Sequence, residues 1–254
     1  MYLNMTLFNK FNIYKNSIAL ISDDISFTYN DIIKEISKFK KFIDKKSLVL
    51  LIASNKFMSI IFYIFSIRYN CKIIILDENH SYDFIKDTIK KFKPNFIFFP
   101  TQKKILLNEK KIIFDNYALV ELKRIIDKKI NNKNSIILTT SGTTSNPKFV
   151  RISNQNIFKN TYQIQKYLKI NKNHRTITTL PMAYSYGLSV INTHLEFGAC
   201  IYLNNISPVN RKFWEIIKKE NINSFSLIPQ LCDYLKKLKF EKLISNNLQY
   251  LTVA

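Results

Sequence analysis

The sequence predicts an α/β protein: doubly wound, mostly parallel sheets with helices on both faces. Two observations carry that reading. Short, continuous apolar runs of strand length recur along the chain, and segments of helix length lie between them. A strand that is apolar at every position is buried on both faces, which is the setting of a parallel sheet covered by helices.

The first such run is Ser47–Ser54 (SLVLLIAS), followed by an apolar helix over Phe57–Tyr69. Lys72–Leu76 (KIIIL) is the next strand and Tyr82–Phe92 the next helix. Asn95–Phe99 (NFIFF) is a third strand, closed by Pro100, and Ser135–Thr139 (SIILT) a fourth. After a polar loop, Asn156–Leu168 reads as a helix with Ile157, Ile164 and Leu168 apolar, and Ser153 or Asn154 is placed to cap it. Arg175–Leu180, Cys200–Leu203 and Asn223–Leu227 continue as strands, with Pro208–Lys219 and Ile228–Leu238 as helices. Leu248–Ala254 (LQYLTVA) is strand-like again. There is no repeat of fixed period, and a division into subdomains of residues 1–170 and 171–254 is expected.

The chain of 254 residues is 46% hydrophobic and 14% aromatic, a globular composition with enough length for a sizeable core. Its formal charge of +21 raises the alternative of a basic nucleic-acid-binding protein. Nearly all of that charge is lysine, however, and the arginines are Arg68, Arg124, Arg151, Arg175 and Arg211. A surface that reads phosphates or bases favours the guanidinium fork. Lysine, asparagine, isoleucine, phenylalanine and tyrosine are abundant together, which favours compositional drift, with basic runs such as 34–41 and 128–133 as solvated faces. Cys71, Cys200 and Cys232 are far apart and form no metal-ligand spacing, so a reduced, cytoplasmic protein is expected. The most apolar stretch, Phe57–Ile67, is too short to span a bilayer, and no signal peptide is evident.

With three glycines in the whole chain, the position of each is informative. Gly142 lies in Thr139–Asn146 (TTSGTTSN), directly after a buried strand and before Pro147 and Lys148. Hydroxyl and backbone N–H groups around a glycine make a donor-rich concavity for an anion, and Lys148 adds a mobile positive charge. The carboxyl end of a strand is where α/β folds bind ligands. These residues therefore read as a phosphate-binding loop. The spacing excludes the Walker type, because Phe149 follows the lysine where that loop needs a hydroxyl for Mg²⁺.

The same segment resembles the phosphate loop of the AMP-binding superfamily of acyl-CoA synthetases, adenylation domains and luciferases, approximately T-S-G-T-T-G-x-P-K-G-V-x-x-S-H-x-N. The match is at Thr140, Ser141, Gly142, Thr143, Thr144, Pro147, Lys148, Val150, Ser153 and Asn156. Ser145, Phe149 and Asn154 depart from the pattern. Weaker echoes follow in the expected order: Ser26–Tyr29 (SFTY), Leu180–Leu188 (LPMAYSYGL) and Ser224–Tyr234 (SFSLIPQLCDY).

The resemblance implies an ATP-dependent ligase. A carboxylate attacks the α-phosphate of ATP, and the acyl group then passes to the thiol of CoA or a carrier protein. It implies that Thr140, Ser141, Thr143 and Thr144 hold the β- and γ-phosphates, that Gly142 lets them approach, and that Lys148 acts catalytically on the pyrophosphate charge. Tyr184 and Gly187 are implied to border the substrate pocket. No acid stands near 184–189 to pair with an amino-acid ammonium, so a fatty or aryl carboxylate is expected. The family's Mg²⁺-binding glutamate segment, ribose-binding aspartate and mobile C-terminal domain would follow a strand such as Leu248–Ala254 and are not in this sequence. The expectation is a fragment, an inactive remnant, or half of a split enzyme with a separately encoded C-terminal partner.

Overall fold

The computed structural model describes residues 6–105, 109–122, 135–140, 147–237 and 247–253. In chain order the strands are β1 (Ile18–Ser22), β2 (Ile25–Thr28), β3 (Leu48–Ala53), β4 (Lys72–Asp77), β5 (Phe96–Pro100), β6 (Lys111–Phe114) and β7 (Tyr117–Glu121). They continue with β8 (Ser135–Thr139), β9 (Phe149–Ser153), β10 (Arg175–Ile177), β11 (Cys200–Tyr202), β12 (Ser224–Leu227) and β13 (Tyr250–Val253). The helices are α1 (Tyr29–Phe39), α2 (Phe57–Arg68), α3 (Tyr82–Phe92), α4 (Asn154–Leu168), α5 (Ser185–Glu196), α6 (Arg211–Lys219) and α7 (Pro229–Lys237).

The chain divides into two compact units. One comprises Met1–Asn9 and Ile33–Lys159, the other Lys10–Ile32 and Asn160–Ala254. The boundary between the units lies at 159/160, and an N-terminal segment joins the second unit. The cause is strand pairing: β1 lies parallel to β11, with Leu20 opposite Ile201.

In the first unit a seven-stranded sheet runs β6-β7-β5-β3-β4-β8-β9. Its centre, β5-β3-β4-β8, is parallel, and β6, β7 and β9 are antiparallel edges. The chain winds from β3 to β4 on one side and then back past β3 to β5, which is the reversal of a doubly wound sheet. Every residue of β3, β4 and β5 is buried, as continuous apolar runs require. Neighbouring side chains point to opposite faces. Phe98 accordingly stacks on Phe62 of α2 at 4.3 Å, while Phe99 joins Leu50, Ile74 and Ile85 under α3. The Ser81 hydroxyl caps α3 by accepting from the Phe84 N–H, and Lys93 ends it in the left-handed region (φ 48°) before Pro94.

In the second unit a six-stranded sheet runs β13-β12-β10-β11-β1-β2, parallel except for the β1–β2 hairpin. The SFTY segment has a local structural role. The Thr28 hydroxyl donates to the Asp31 carboxylate (2.6 Å), the Thr28 N–H donates to it as well (3.0 Å), and the pair starts α1. Tyr29 is buried and donates to the Ala199 carbonyl at 2.8 Å. One face of the sheet packs Ile177, Phe225 and Leu227 against Phe213, Trp214 and Ile217 of α6. Burial pushes the Cys71 thiol up to about 12 and Cys200 up to about 11, so both behave as small apolar side chains.

Candidate functional site

In the first unit, β8 runs parallel to β4 and antiparallel to β9. Thr139 pairs with Phe149, and the Thr140 N–H donates to the Lys148 carbonyl at 2.9 Å, extending the ladder by one rung. Thr140 and Lys148 thereby stand side by side at the carboxyl end of β8, both exposed to solvent. Ser141, Gly142, Thr143 and Thr144 lie outside the described residues. Beyond the stem, the Ser153 hydroxyl accepts from the Asn156 N–H (3.1 Å) and caps α4.

Phe149, where the resembled pattern has glycine, is packed against α3. Its ring is parallel to Phe84 (5.9 Å, 3°), edge-on to Phe92 (4.7 Å), and covered by the Lys91 ammonium at 4.8 Å. These contacts fix the residue next to Lys148 and so hold the root of the lysine against the helix. The same end of the sheet also carries Ser54, whose hydroxyl pairs with Tyr117 (2.7 Å), and Lys103, which donates to the carbonyls of Glu78 (2.6 Å) and His80 (2.8 Å). Burial raises the Glu78 pKa and lowers that of His80. Among the described residues no cluster of three or more His, Cys, Asp or Glu is arranged for a metal ion.

The second unit contains a cavity of about 430 Å³ between α4, α5 and the sheet edge. From α5 it is lined by Tyr186, Ser189, Val190, Thr193 and His194, the stripe that three- and four-residue spacing puts on one helix face. From α4 come Asn160, Gln163, Ile164, Tyr167 and Leu168, at the same spacing. The floor is Thr176 of β10, Ser226 of β12, and Tyr250 and Thr252 of β13. Among the described residues no lining side chain is an acid, a lysine or an arginine.

The floor and α5 are joined by hydrogen bonds. Tyr186 Oη donates to Thr252 Oγ1 at 2.6 Å, and Thr252 Oγ1 lies 2.8 Å from Ser226 Oγ. His194 Nδ1 is 2.8 Å from the Val190 carbonyl, which can only accept, so the ring proton sits on Nδ1. Nε2 is then an acceptor, and Tyr250 Oη donates to it at 3.0 Å. Burial pushes the His194 pKa down to about 4 and the Tyr250 pKa up to about 12, so the pair is neutral near pH 7.

Tyr184 and Gly187 sit at the start of α5, beside this lining. Tyr184 is the half-buried N-cap residue. Gly187 faces the backbone of Leu180–Pro181, where a Cβ would lie 2.3 Å from the Pro181 oxygen. Sequence reading missed Tyr186, His194, Ser226, Tyr250 and Thr252. The signal for Ser226, Tyr250 and Thr252 is the alternation of SFSL and YLTV, which puts polar groups on one strand face.

The AMP-binding enzyme family model matches residues 7–253. Oxalate–CoA ligase of Saccharomyces cerevisiae is 29% identical over 132 residues, which is 46% of this chain and 24% of that protein. Oxalate–CoA ligase of Arabidopsis thaliana is 28% identical over 99 residues, 38% of this chain and 19% of that protein. The matched stretch thus spans about a quarter or less of these relatives' length. Among solved structures, o-succinylbenzoate coenzyme A synthetase from Bacillus subtilis in complex with AMP superposes with a TM-score of 0.74 at 14% identity, over 96% of this chain and 65% of that one. The luciferase-like enzyme of the nonluminescent mealworm Zophobas morio gives 0.74 at 16% identity, over 99% and 66%. These structures show the fold, and the family model decides membership: the chain belongs to the AMP-binding enzyme family.

Proposed function

We propose that the chain is the front part of an ATP-dependent carboxylate-activating ligase, which joins a carboxylate to AMP and releases pyrophosphate. The observation that carries this is the hydrogen-bonded stem Thr140–Lys148, which presents a lysine and a hydroxyl beside a Ser/Thr/Gly segment at the carboxyl end of a parallel strand. That donor set fits a polyphosphate. Thr140, with Ser141, Thr143 and Thr144 of the intervening segment, supplies donors to the β- and γ-phosphates, and Gly142 admits close approach. Lys148 Nζ neutralises charge as it develops on the leaving pyrophosphate. Such charge stabilisation and positioning is the protein's main task in phosphate chemistry. A Mg²⁺ ion would shield the triphosphate; the described residues offer no carboxylate cluster for one.

Transfer of the acyl group to CoA or to a carrier thiol completes the proposed activity. The relatives are longer than the stretch matched here. A fatty or aryl carboxylate is favoured over an amino acid, since among the described residues no acid lines the cavity of the second unit to pair with an ammonium. The cellular setting proposed is the cytoplasm. Among the described residues no helix is long and apolar enough to cross a membrane.

The test is exchange of labelled pyrophosphate into ATP across a carboxylate panel. Lys148→Ala is expected to slow exchange by roughly a hundred- to a thousandfold, with circular dichroism unchanged. Exchange at the wild-type rate in that variant refutes the role of Lys148, and exchange supported by amino acids alone refutes the substrate class.

A further inference from the structure

We infer that the cavity under α5 takes the tail of a hydroxyl-bearing aryl carboxylate, and that Tyr250 and the Tyr186–Thr252–Ser226 chain read the hydroxyl group. The inference rests on the carboxylate-activating function proposed above and names the substrate class for it.

Three features carry it. The first is size. At about 430 Å³ the cavity lies in the range of pockets that enclose a drug-sized molecule, roughly 300–1,000 Å³, and is far larger than a two-carbon diacid needs. The second is charge. Among the described residues every lining side chain is uncharged: burial keeps His194 neutral, and the Val190 carbonyl fixes its proton on Nδ1. A second carboxylate or an ammonium on the ligand would be taken from water with no counter-charge, which is strongly unfavourable. A diacid such as oxalate, the substrate named in the relatives, is therefore disfavoured in this cavity.

The third is the count of hydrogen-bonding groups. Tyr186, Thr252 and Ser226 bring three hydroxyl protons to two mutual bonds, which leaves one proton to donate. Tyr250 spends its proton on His194 Nε2, and with the Ser224 hydroxyl also beside its oxygen it keeps one lone pair. Thr252 and Tyr250 are two residues apart on one strand, so both sit on the same face. The wall thus offers one donor and one acceptor, which a single hydroxyl satisfies together. Ile164, Leu168, Ile170 and Val190 supply apolar contact for a ring.

The experiment titrates 4-hydroxybenzoate, benzoate, oxalate and phenylalanine into the 254-residue protein by ligand-detected NMR, with ATP titrated separately. The expected result is tightest binding of 4-hydroxybenzoate, benzoate weaker by roughly three- to tenfold, and no saturable binding of oxalate or phenylalanine. Thr252→Val keeps the shape of the wall, and Tyr250→Phe removes only the phenol oxygen. Both should erase the advantage of 4-hydroxybenzoate over benzoate, bringing the ratio of their affinities to about one. Three results overturn the inference: oxalate or phenylalanine binding as tightly as the aryl acids, both variants weakening benzoate and 4-hydroxybenzoate alike, or no acid binding at all. ATP binding in the last case would leave adenylate formation standing and remove only the assigned substrate class.

Discussion

In the seven-stranded sheet, β3, β4 and β5 are buried at every residue and present apolar side chains to helices on both faces. In the six-stranded sheet, β10, β12 and β13 are two-sided in chemistry. Ile177, Phe225 and Leu227 face α6, whereas Thr176, Ser226 and Thr252 face the cavity under α5. The first sheet uses its faces for packing and offers its candidate ligand groups, Thr140 and Lys148, at the strand ends. The second gives up part of an apolar face to build a polar wall. One fold principle therefore serves two tasks, and the strand sequences differ accordingly: LVLLIA and KIIILD against SFSL and YLTV.

Substitutions should separate the two faces. Ile74→Ala, at a fully buried position, is expected to lower stability by about 2–5 kcal/mol in denaturant titrations. Thr252→Val on the polar wall should change it by less than about 1 kcal/mol. Equal losses would mean that both sheets are packed for stability alone.

Acid should act mainly on the second sheet. The folded-state pKa of His194, about 4, lies below its ordinary 6.5, so the unfolded chain binds the proton first. Its contribution is complete above about pH 6.5 and is lost as pH falls toward 4. At about 1.4 kcal/mol per pH unit, the loss is on the order of 3 kcal/mol. Denaturant midpoints at pH 7, 5 and 4 should show this slope in the wild type and a shallower one in His194→Gln. Identical slopes would show that His194 is not held neutral.

Gly187→Ala should cost about 1–3 kcal/mol, because its Cβ would meet the Pro181 backbone oxygen. It should also weaken aryl acids by displacing Tyr186. A smaller effect is expected from Phe149→Ala, about 1 kcal/mol from the lost contacts with Phe84 and Phe92. Its readout is faster hydrogen exchange at β9, and unchanged exchange there would show that the clasp on Lys148 is not formed.

The first sheet was the more legible in the sequence. Its apolar runs fixed β3, β4, β5 and β8, and helices of the right length lay between them. The hairpins β1–β2 and β6–β7 escaped because their turns use aspartate and asparagine instead of glycine. Asp23, Asp24 and Asp115 take positive φ (50°, 61° and 51°), which Asn and Asp tolerate and a glycine-based reading overlooks. Strand β9 was read as loop because its pattern, FVRIS, is partly exposed at an edge. The loop motif pointed to Lys148 directly, since its spacing is local. The cavity did not show, because its residues come from α4, α5 and three strands brought together by the fold. Tyr184 and Gly187 lie at the start of α5, beside the stripe that faces the cavity.

The most direct measurement is backbone hydrogen exchange of the protein with and without ATP. Binding at the Thr140–Lys148 stem predicts slowed exchange at Thr140 and at Lys148–Val150, lost in Lys148→Ala, with β10, β12 and β13 unaffected until an aryl acid is added. Protection by ATP confined to the second unit, or none at the stem, would contradict the assignment of the phosphate site.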